Sequence, residues 1–478
     1  MDFCFKKLVD ELISEKEEKS LLVKKVETVK EKVTEGYLPL DVIADPRIFN
    51  LELRYLFPKV WHFMAHESEI PNNGDYVRRY IGPDHSFVIA RGEDGKIRCF
   101  YNLCTHKGRG FCASEAGNAA YFRCPYHFWT FRNDGELIAV SLEKEAYGNT
   151  LHKDKYRLIE IKVDTYNGFV FCNMDWNSKS LKHYLGEFSW YTDIVTKRDL
   201  EFYRPQRWVA NFNWKLGAEN FASDAYHTAY THKSAADIGL ASMGPMGRTV
   251  SQKGYHFTFA GGHGGGMRGA VVSDNEKAKI PLPLFYPKWL PEKMPYYKKQ
   301  LDKDQYELFS KAASSMRWNI FPNFSFLIHP MGSFEPSTVN GDFPFGEPVP
   351  WLHFKIWRPL STTKTEIWNF FAVERDANDD FKRMSKMAYL HSFGPSGMLE
   401  SDDIENWITI TRNSLGSSKS GLVFDSPYLL GSHQKPVKDF VWKHSEEISV
   451  YYEVAEHAAR GFWKKWAETI ISEVEKDE

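Results

Sequence analysis

Cys104-Thr-His106 and Cys124-Pro-Tyr-His127 each offer one thiolate and one imidazole, with seventeen residues between His106 and Cys124. This ligand set suits a [2Fe–2S] cluster in which two cysteines hold one iron and two histidines the other. Imidazoles in place of two thiolates raise the reduction potential, so such a centre takes an electron from a low-potential donor and passes it on. The same four side chains could instead form a structural zinc site. Gly108, Gly110 and Gly117 let the chain bend near the sulfurs, and Pro125 stiffens the second loop. Cys112 lies nearby at a spacing that does not fit a ligand and reads as a small buried side chain.

A second constellation follows about a hundred residues later, in the run from Asn220 through Asp224 and His227 to His232. Two histidines and a carboxylate, with coordination positions left open, are the usual nonheme Fe(II) arrangement for oxygen activation. A helical run over Asn220 to Lys233 would put Asp224 and His227 on one face, but His232 about 140 degrees further round. Both imidazoles can then meet one metal only if the helix bends or ends between them. The carboxylate comes either from Asp224 or from the distant acidic set Glu400-Ser-Asp402-Asp403, and spacing does not choose between them. A cluster upstream needs an electron destination, which favours a metal site here over a merely hydrogen-bonded helix.

The elements that must position these groups change in texture along the 478 residues, a length that predicts two or three domains. The first 35 residues are densely charged and predict one or two surface helices ending near Gly36, with apolar positions at Phe5, Leu8, Val9, Leu12, Leu21, Leu22, Val26 and Val29. Short strands follow at Tyr76 to Ile81, Ser86 to Ala90, Ile97 to Phe100 and Gly168 to Phe171, with turns at Asp94-Gly95 and Asn133-Asp134-Gly135. Beyond Trp176 the pattern is mixed. Strands are expected at Tyr255 to Ala260, Asn323 to Ile328 and Trp351 to Trp357, and a helix over Asn378 to Leu390. A C-terminal helical region over Glu446 to Glu475 is expected to be broken or bent near Gly461, and the glycines of Gly261 to Gly269 mark a loop.

Composition sets further bounds. Aromatics at 15% allow a large core and an apolar pocket, and a formal charge of −2 argues against a nucleic-acid partner. No apolar run has the length of a membrane span, and six cysteines, two of them in the cluster motif, predict a reducing cytoplasmic setting. The stretch Gly261 to Gly266 lacks the following helix of a dinucleotide site, so no nicotinamide or flavin site is expected.

From about Tyr37 onward the chain resembles the large (alpha) subunit of Rieske-type aromatic-ring-hydroxylating dioxygenases. The likeness runs through Arg54-Tyr-Leu-Phe-Pro-Lys-Val-Trp61, His66-Glu-Ser-Glu-Ile-Pro71, the cluster motif, Asn220 to His232, Asn319-Ile-Phe-Pro322 and Glu400-Ser-Asp-Asp403. It implies that Cys104, His106, Cys124 and His127 hold a [2Fe–2S] Rieske cluster, and that His227, His232 and Asp403 hold a mononuclear Fe(II). Asp224 then bridges His227 to a cluster histidine of a neighbouring subunit, and Asn220 lies beside the iron. The implied fold is α+β. An all-β Rieske domain (39–175) is inserted in a helix-flanked antiparallel-sheet, helix-grip or START-like catalytic domain (176–478), and an N-terminal helical segment (1–38) packs on the latter. The resemblance also implies a homotrimer of alpha subunits, with or without a small beta subunit.

Two departures stand out: Phe128 follows His127 where many relatives have Gly, and Leu399 replaces a Trp of some naphthalene-type relatives. Phe221, Thr228, Phe393 and Leu399 are candidate pocket residues. The His263 loop is expected either to reach the pocket or to face solvent, and Arg248 or Arg268 could bind a substrate carboxylate. The expected activity is that of a terminal oxygenase. It takes electrons ultimately from NADH through a ferredoxin or reductase and cis-dihydroxylates an aromatic ring with O2. The alternatives are a monooxygenase acting on an aromatic acid such as salicylate, and a non-catalytic Rieske electron-transfer protein.

Overall fold

Nine antiparallel strands form the largest sheet among the described residues, and it carries the second constellation on one face and much of the aromatic core on the other. The computed structural model describes residues 2–148, 150–238, 254–268, 289–312, 315–332, 348–437 and 445–477. Across this sheet Lys364–Glu374, Pro348–Ser361, Phe324–Gly332, Ser315–Ile320, Gly264–Arg268 and Gly254–Phe259 lie side by side. Leu200–Phe202 and Gln206–Ala210 pair with Lys364–Glu374 at one edge, and Ile448–Tyr452 closes the other.

Alternation along the strands sorts the two faces. Phe324, Phe326, Phe354 and Phe370 are buried on one of them, where Phe324 stacks on Phe63 with ring centroids 4.0 Å apart. Phe63 belongs to a second antiparallel sheet of seven strands. Its order is His62–His66, Phe169–Asn173, Glu160–Tyr166, Ile97–Tyr101, His85–Arg91, Asp75–Ile81 and Ala116–Asn118. A three-stranded sheet, Tyr121–Arg123, Thr130–Arg132 and Leu137–Ala139, carries the second cluster loop.

The opposite face of the nine-stranded sheet is covered by the helices Trp214–Ser223, Asp379–Phe393 and His457–Lys476. The helix Met398–Ser420 packs on Asp379–Phe393. A row of buried polar side chains crosses this face in register. Asn319 pairs with Ser325, Ser325 with Lys355, and Lys355 with Asn369. Apolar residues would be the default there, and the row sets this face apart from the aromatic one.

Several expectations are corrected. The N-terminal segment is a single helix, Asp2–Glu35, within the one or two expected, but it does not merely lie on the surface: its Val26, Val29 and Val33 are buried against the C-terminal helix. The side chains of Phe5, Leu8, Val9 and Leu12 lie outside the described residues. The C-terminal region opens with the edge strand Ile448–Tyr452, and its helix runs unbroken through Gly461, where the nearby Phe462, Trp463 and Trp466 are fully buried and anchor it. The glycine run turns at Gly261 to His263, as expected, but continues as a strand, Gly264–Arg268, rather than as loop. A Cβ on Gly264 would lie 2.4 Å from the Ala458 Cβ, and one on Gly265 2.4 Å from the Arg317 carbonyl oxygen, so glycine permits the helix and the neighbouring strand to approach.

Candidate active site

The two cluster loops share one backbone design. Cys104 N–H donates to the Arg109 carbonyl (2.8 Å) and Gly108 N–H to the Cys104 carbonyl (2.9 Å). Cys124 N–H likewise donates to the Trp129 carbonyl (2.9 Å) and Phe128 N–H to the Cys124 carbonyl (3.0 Å). In each loop the fourth residue after the cysteine has positive φ: +75° at Gly108 and +58° at Phe128. Phe128 therefore holds a left-handed position that glycine fills without strain in the matching loop.

Cys104 and Cys124 are buried, while His106 and His127 are half-buried with ring centroids 4.5 Å apart. His106 stacks on Trp129 at 4.7 Å, and its Nδ1 is buried without a hydrogen-bond partner among the described residues. Burial and the adjacent Cys124 sulfur push the Cys104 thiol up to about 11, against the pull of the His106 and Lys107 backbone N–H groups. Two facing sulfurs of this kind ionise together only beside a cation. The orphaned imidazole nitrogen and the paired sulfurs fit a [2Fe–2S] cluster. Cys112 is buried, and its Sγ lies 3.5 Å from the Ser114 carbonyl.

The second constellation differs from the continuous helix expected over Asn220 to Lys233. The helix ends at Ser223, Asp224 turns out of it with extended ψ, and a short turn, Thr228–Thr231, separates the histidines. The Asp224 carboxylate accepts from the His227 backbone N–H at 3.0 Å and so starts that turn. This break removes the angular mismatch: the imidazoles stand 5.2 Å apart, centroid to centroid, at 77°.

Asp403 lies between them, with Oδ1 3.2 Å from His227 Nε2 and 3.4 Å from His232 Nε2. One donor atom from each of the three residues falls within 4.8 Å of the others. Asp224 instead sits on the outer side of His227, with Oδ2 3.2 Å from Nδ1, and Asp402 Oδ2 takes the matching place 3.2 Å from His232 Nδ1. The Asn220 amide is 3.4 Å from His227 Nδ1. Burial would depress the His227 imidazole, yet Asp224 and Asp403 raise it to about 10. The same histidine holds the Asp224 carboxyl down to about 2 against its own desolvation. A site that favours positive charge this strongly, with two inner imidazole nitrogens and one carboxylate facing one another, fits a divalent iron.

A cavity of about 530 Å³, mouth included, opens beside this triad. Phe221, Thr228, Phe393 and Leu399 all border it, together with Leu327, Ser315, Arg317 and His329. His263 neither reaches the cavity nor faces solvent. It is fully buried, accepts from the Phe321 N–H at Nδ1 (2.9 Å) and meets the Tyr184 carbonyl with Nε2 (2.9 Å). Arg248 and the Arg268 side chain lie outside the described residues. Glu400 points away from the histidines and pairs with Lys355. Sequence reasoning did not find the Asp402 contact, although its adjacency to Asp403 was a usable signal. Lys355 and Arg317 carried no local signal at all.

Residues 60–159 match the family described as the Rieske [2Fe-2S] domain, and residues 189–335 the ring hydroxylating alpha subunit (catalytic domain). The chain is 30% identical to the N,N-dimethyl phenylurea N-demethylase subunit alpha of Sphingobium sp. (strain YBL2), over 94% of this chain and 95% of that protein. It is 34% identical to the large oxygenase component of the naphthalene 1,2-dioxygenase system of Pseudomonas aeruginosa, over 78% of each. Among solved structures it resembles naphthalene 1,2-dioxygenase from Rhodococcus sp. bound to indole. That likeness has a TM-score of 0.86 and 36% identity, and covers 94% of this chain and 98% of the other.

Proposed function

Because the chain belongs to the large (alpha) subunits of the Rieske-type aromatic-ring-hydroxylating dioxygenases, we propose that it is a terminal oxygenase that adds both atoms of O2 to an aromatic ring as a cis-dihydrodiol. Electrons come ultimately from NADH through a separate ferredoxin or reductase. The observation that carries this reading is the convergence of His227, His232 and Asp403 at the wall of a largely apolar cavity, in a chain that also carries the cluster loops.

In this reading Cys104, Cys124, His106 and His127 hold the cluster, and His227, His232 and Asp403 hold the iron. The cluster supplies single electrons and the mononuclear iron supplies the site of O2 activation. The protein's own work is orientation and exclusion. Asp224 and Asp402 fix the histidine rings through their outer nitrogens, leaving the inner nitrogens to face the metal. Phe221, Phe393, Leu327 and Leu399 favour a flat apolar ring and keep bulk water from it. Asp224 is half-exposed, which leaves it able to join His227 to His127 of the partner subunit in a homotrimer of alpha subunits, with or without a small beta subunit.

The near full-length likeness to an N-demethylase alpha subunit favours one further reading, oxygenation of an N-methyl aryl compound. Turnover with a competent donor under labelled O2 separates the two. Naphthalene or biphenyl converted to a diol carrying two labelled atoms supports the proposal. Formaldehyde released from an N,N-dimethyl aryl urea, with no diol from any arene, supports the second reading instead.

A further inference from the structure

We propose that the buried Lys355–Glu400 ion pair is a positioning pair that sets the place of the aromatic substrate relative to Asp403, an inference that rests on the proposed oxygenase reading. Both side chains have no exposure, and the Lys355 ammonium contacts the Glu400 carboxylate directly. Lys355 lies in the polar row of the nine-stranded sheet, between Ser325 and Asn369. Its ammonium is surrounded by four rings: Phe393 at 4.9 Å, Trp357 at 5.0 Å, Phe221 at 5.3 Å and Trp208 at 6.0 Å. Phe221 and Phe393 also border the cavity. Glu400 follows the cavity residue Leu399 and stands one helical turn before Asp403, on the same side of the helix.

One ion pair thus ties the strand Pro348–Ser361 to three of the elements that line the cavity: the helix bearing Phe221, the helix bearing Phe393, and the helix bearing Leu399 and Asp403. Glu400 Oε1 is buried with no hydrogen-bond partner among the described residues, so the pair is not a fully satisfied network. Desolvation offsets most of the attraction in such a pair, and apolar residues of equal size hold a core at least as well. What an apolar pair cannot do is fix the rings by cation–π contact and the helix by charge at once.

The test compares Lys355→Met, Lys355→Arg and the double variant Lys355→Met/Glu400→Met. It reads melting temperature, iron content, biphenyl binding to iron-depleted protein, and the ratio of 2,3- to 3,4-dihydrodiol from biphenyl. Lys355→Met is expected to melt lower, because it strands the Glu400 carboxylate. The double variant is expected to melt near the wild type and keep its iron, to bind biphenyl about tenfold more weakly, and to shift the diol ratio several-fold. Lys355→Arg is expected to lie nearer the wild-type ratio. A double variant with wild-type binding and ratio overturns the proposal, and so does one that fails to fold, since the pair is then structural. Wild-type protein that neither binds nor oxidises biphenyl, naphthalene or other arenes instead overturns the oxygenase reading on which the proposal rests.

Discussion

Asp224 and Asp402 each take the outer nitrogen of one histidine, while Asp403 faces both inner ones. Carboxylates on outer nitrogens fix ring orientation and strengthen the inner nitrogen as a ligand, and their loss commonly costs 10- to 100-fold in metal affinity. Asp402→Ala is therefore expected to weaken iron binding by roughly that factor while the cluster's visible spectrum stays unchanged. Iron titration of the depleted protein measures it, and wild-type affinity would count against the assignment. Phe128 supports a second test at this scale. Its φ of +58° is the one Gly108 adopts in the twin loop, and its side chain is 54% exposed, so little packing is at stake. Phe128→Gly should raise stability by about 1 kcal/mol, read as a higher denaturation midpoint. The cysteine–histidine pairs and the two histidines of the second constellation stood out in the sequence because each lies within a short run. The choice between Asp224 and Asp403 did not, because it depends on how a segment some 170 residues away folds back.

Helices and strands succeeded or failed as sequence signals according to what their side chains display. The strands around the cluster alternate visibly, and the helix expected over Asn378 to Leu390 is present as Asp379–Phe393, with the Asn378 side chain accepting from the Phe381 N–H. Gly264–Arg268 has no such signal, since three glycines carry no apolar period. It is a strand because its neighbours leave no room for side chains. Gly265→Val should consequently destabilise the protein by roughly 1–3 kcal/mol through overpacking against the Arg317 backbone, while leaving the cluster spectrum intact. Equal stability would show that the sheet relaxes there. The break after Ser223 was foreseeable only as a condition, that the helix must end if both histidines are to share a metal. Asp224 meets it by capping the next turn.

In the whole molecule, the two large sheets meet through an aromatic core shared between the cluster-bearing and cavity-bearing parts. His62 lies in the strand that makes this junction, with Nε2 2.7 Å from the Phe57 carbonyl. Burial pushes its imidazole down to about 4, from an ordinary 6.5. The unfolded chain binds a proton below pH 6.5 that the folded chain refuses until about 4, so this contribution is complete above 6.5 and is lost as pH falls toward 4. Glu219 works in the opposite direction, its carboxyl raised by burial to about 8, so the effect is best read by comparison. The wild type's stability advantage over His62→Gln should narrow by about 2 kcal/mol between pH 7 and pH 5. A constant gap in urea unfolding would contradict it. Such long-range burial has no local signature, whereas the α+β class did, because runs of short alternating strands give way to mixed segments along the chain.

A mononuclear iron separate from the cluster is the central requirement of the proposed oxygenase, and metal analysis of purified protein tests it most directly. Wild-type protein should hold one iron beyond the two of the cluster, and His227→Ala should lose that iron while keeping acid-labile sulfide and the visible spectrum of the cluster. Iron content that is the same in both proteins, and accounted for by the cluster alone, would contradict it.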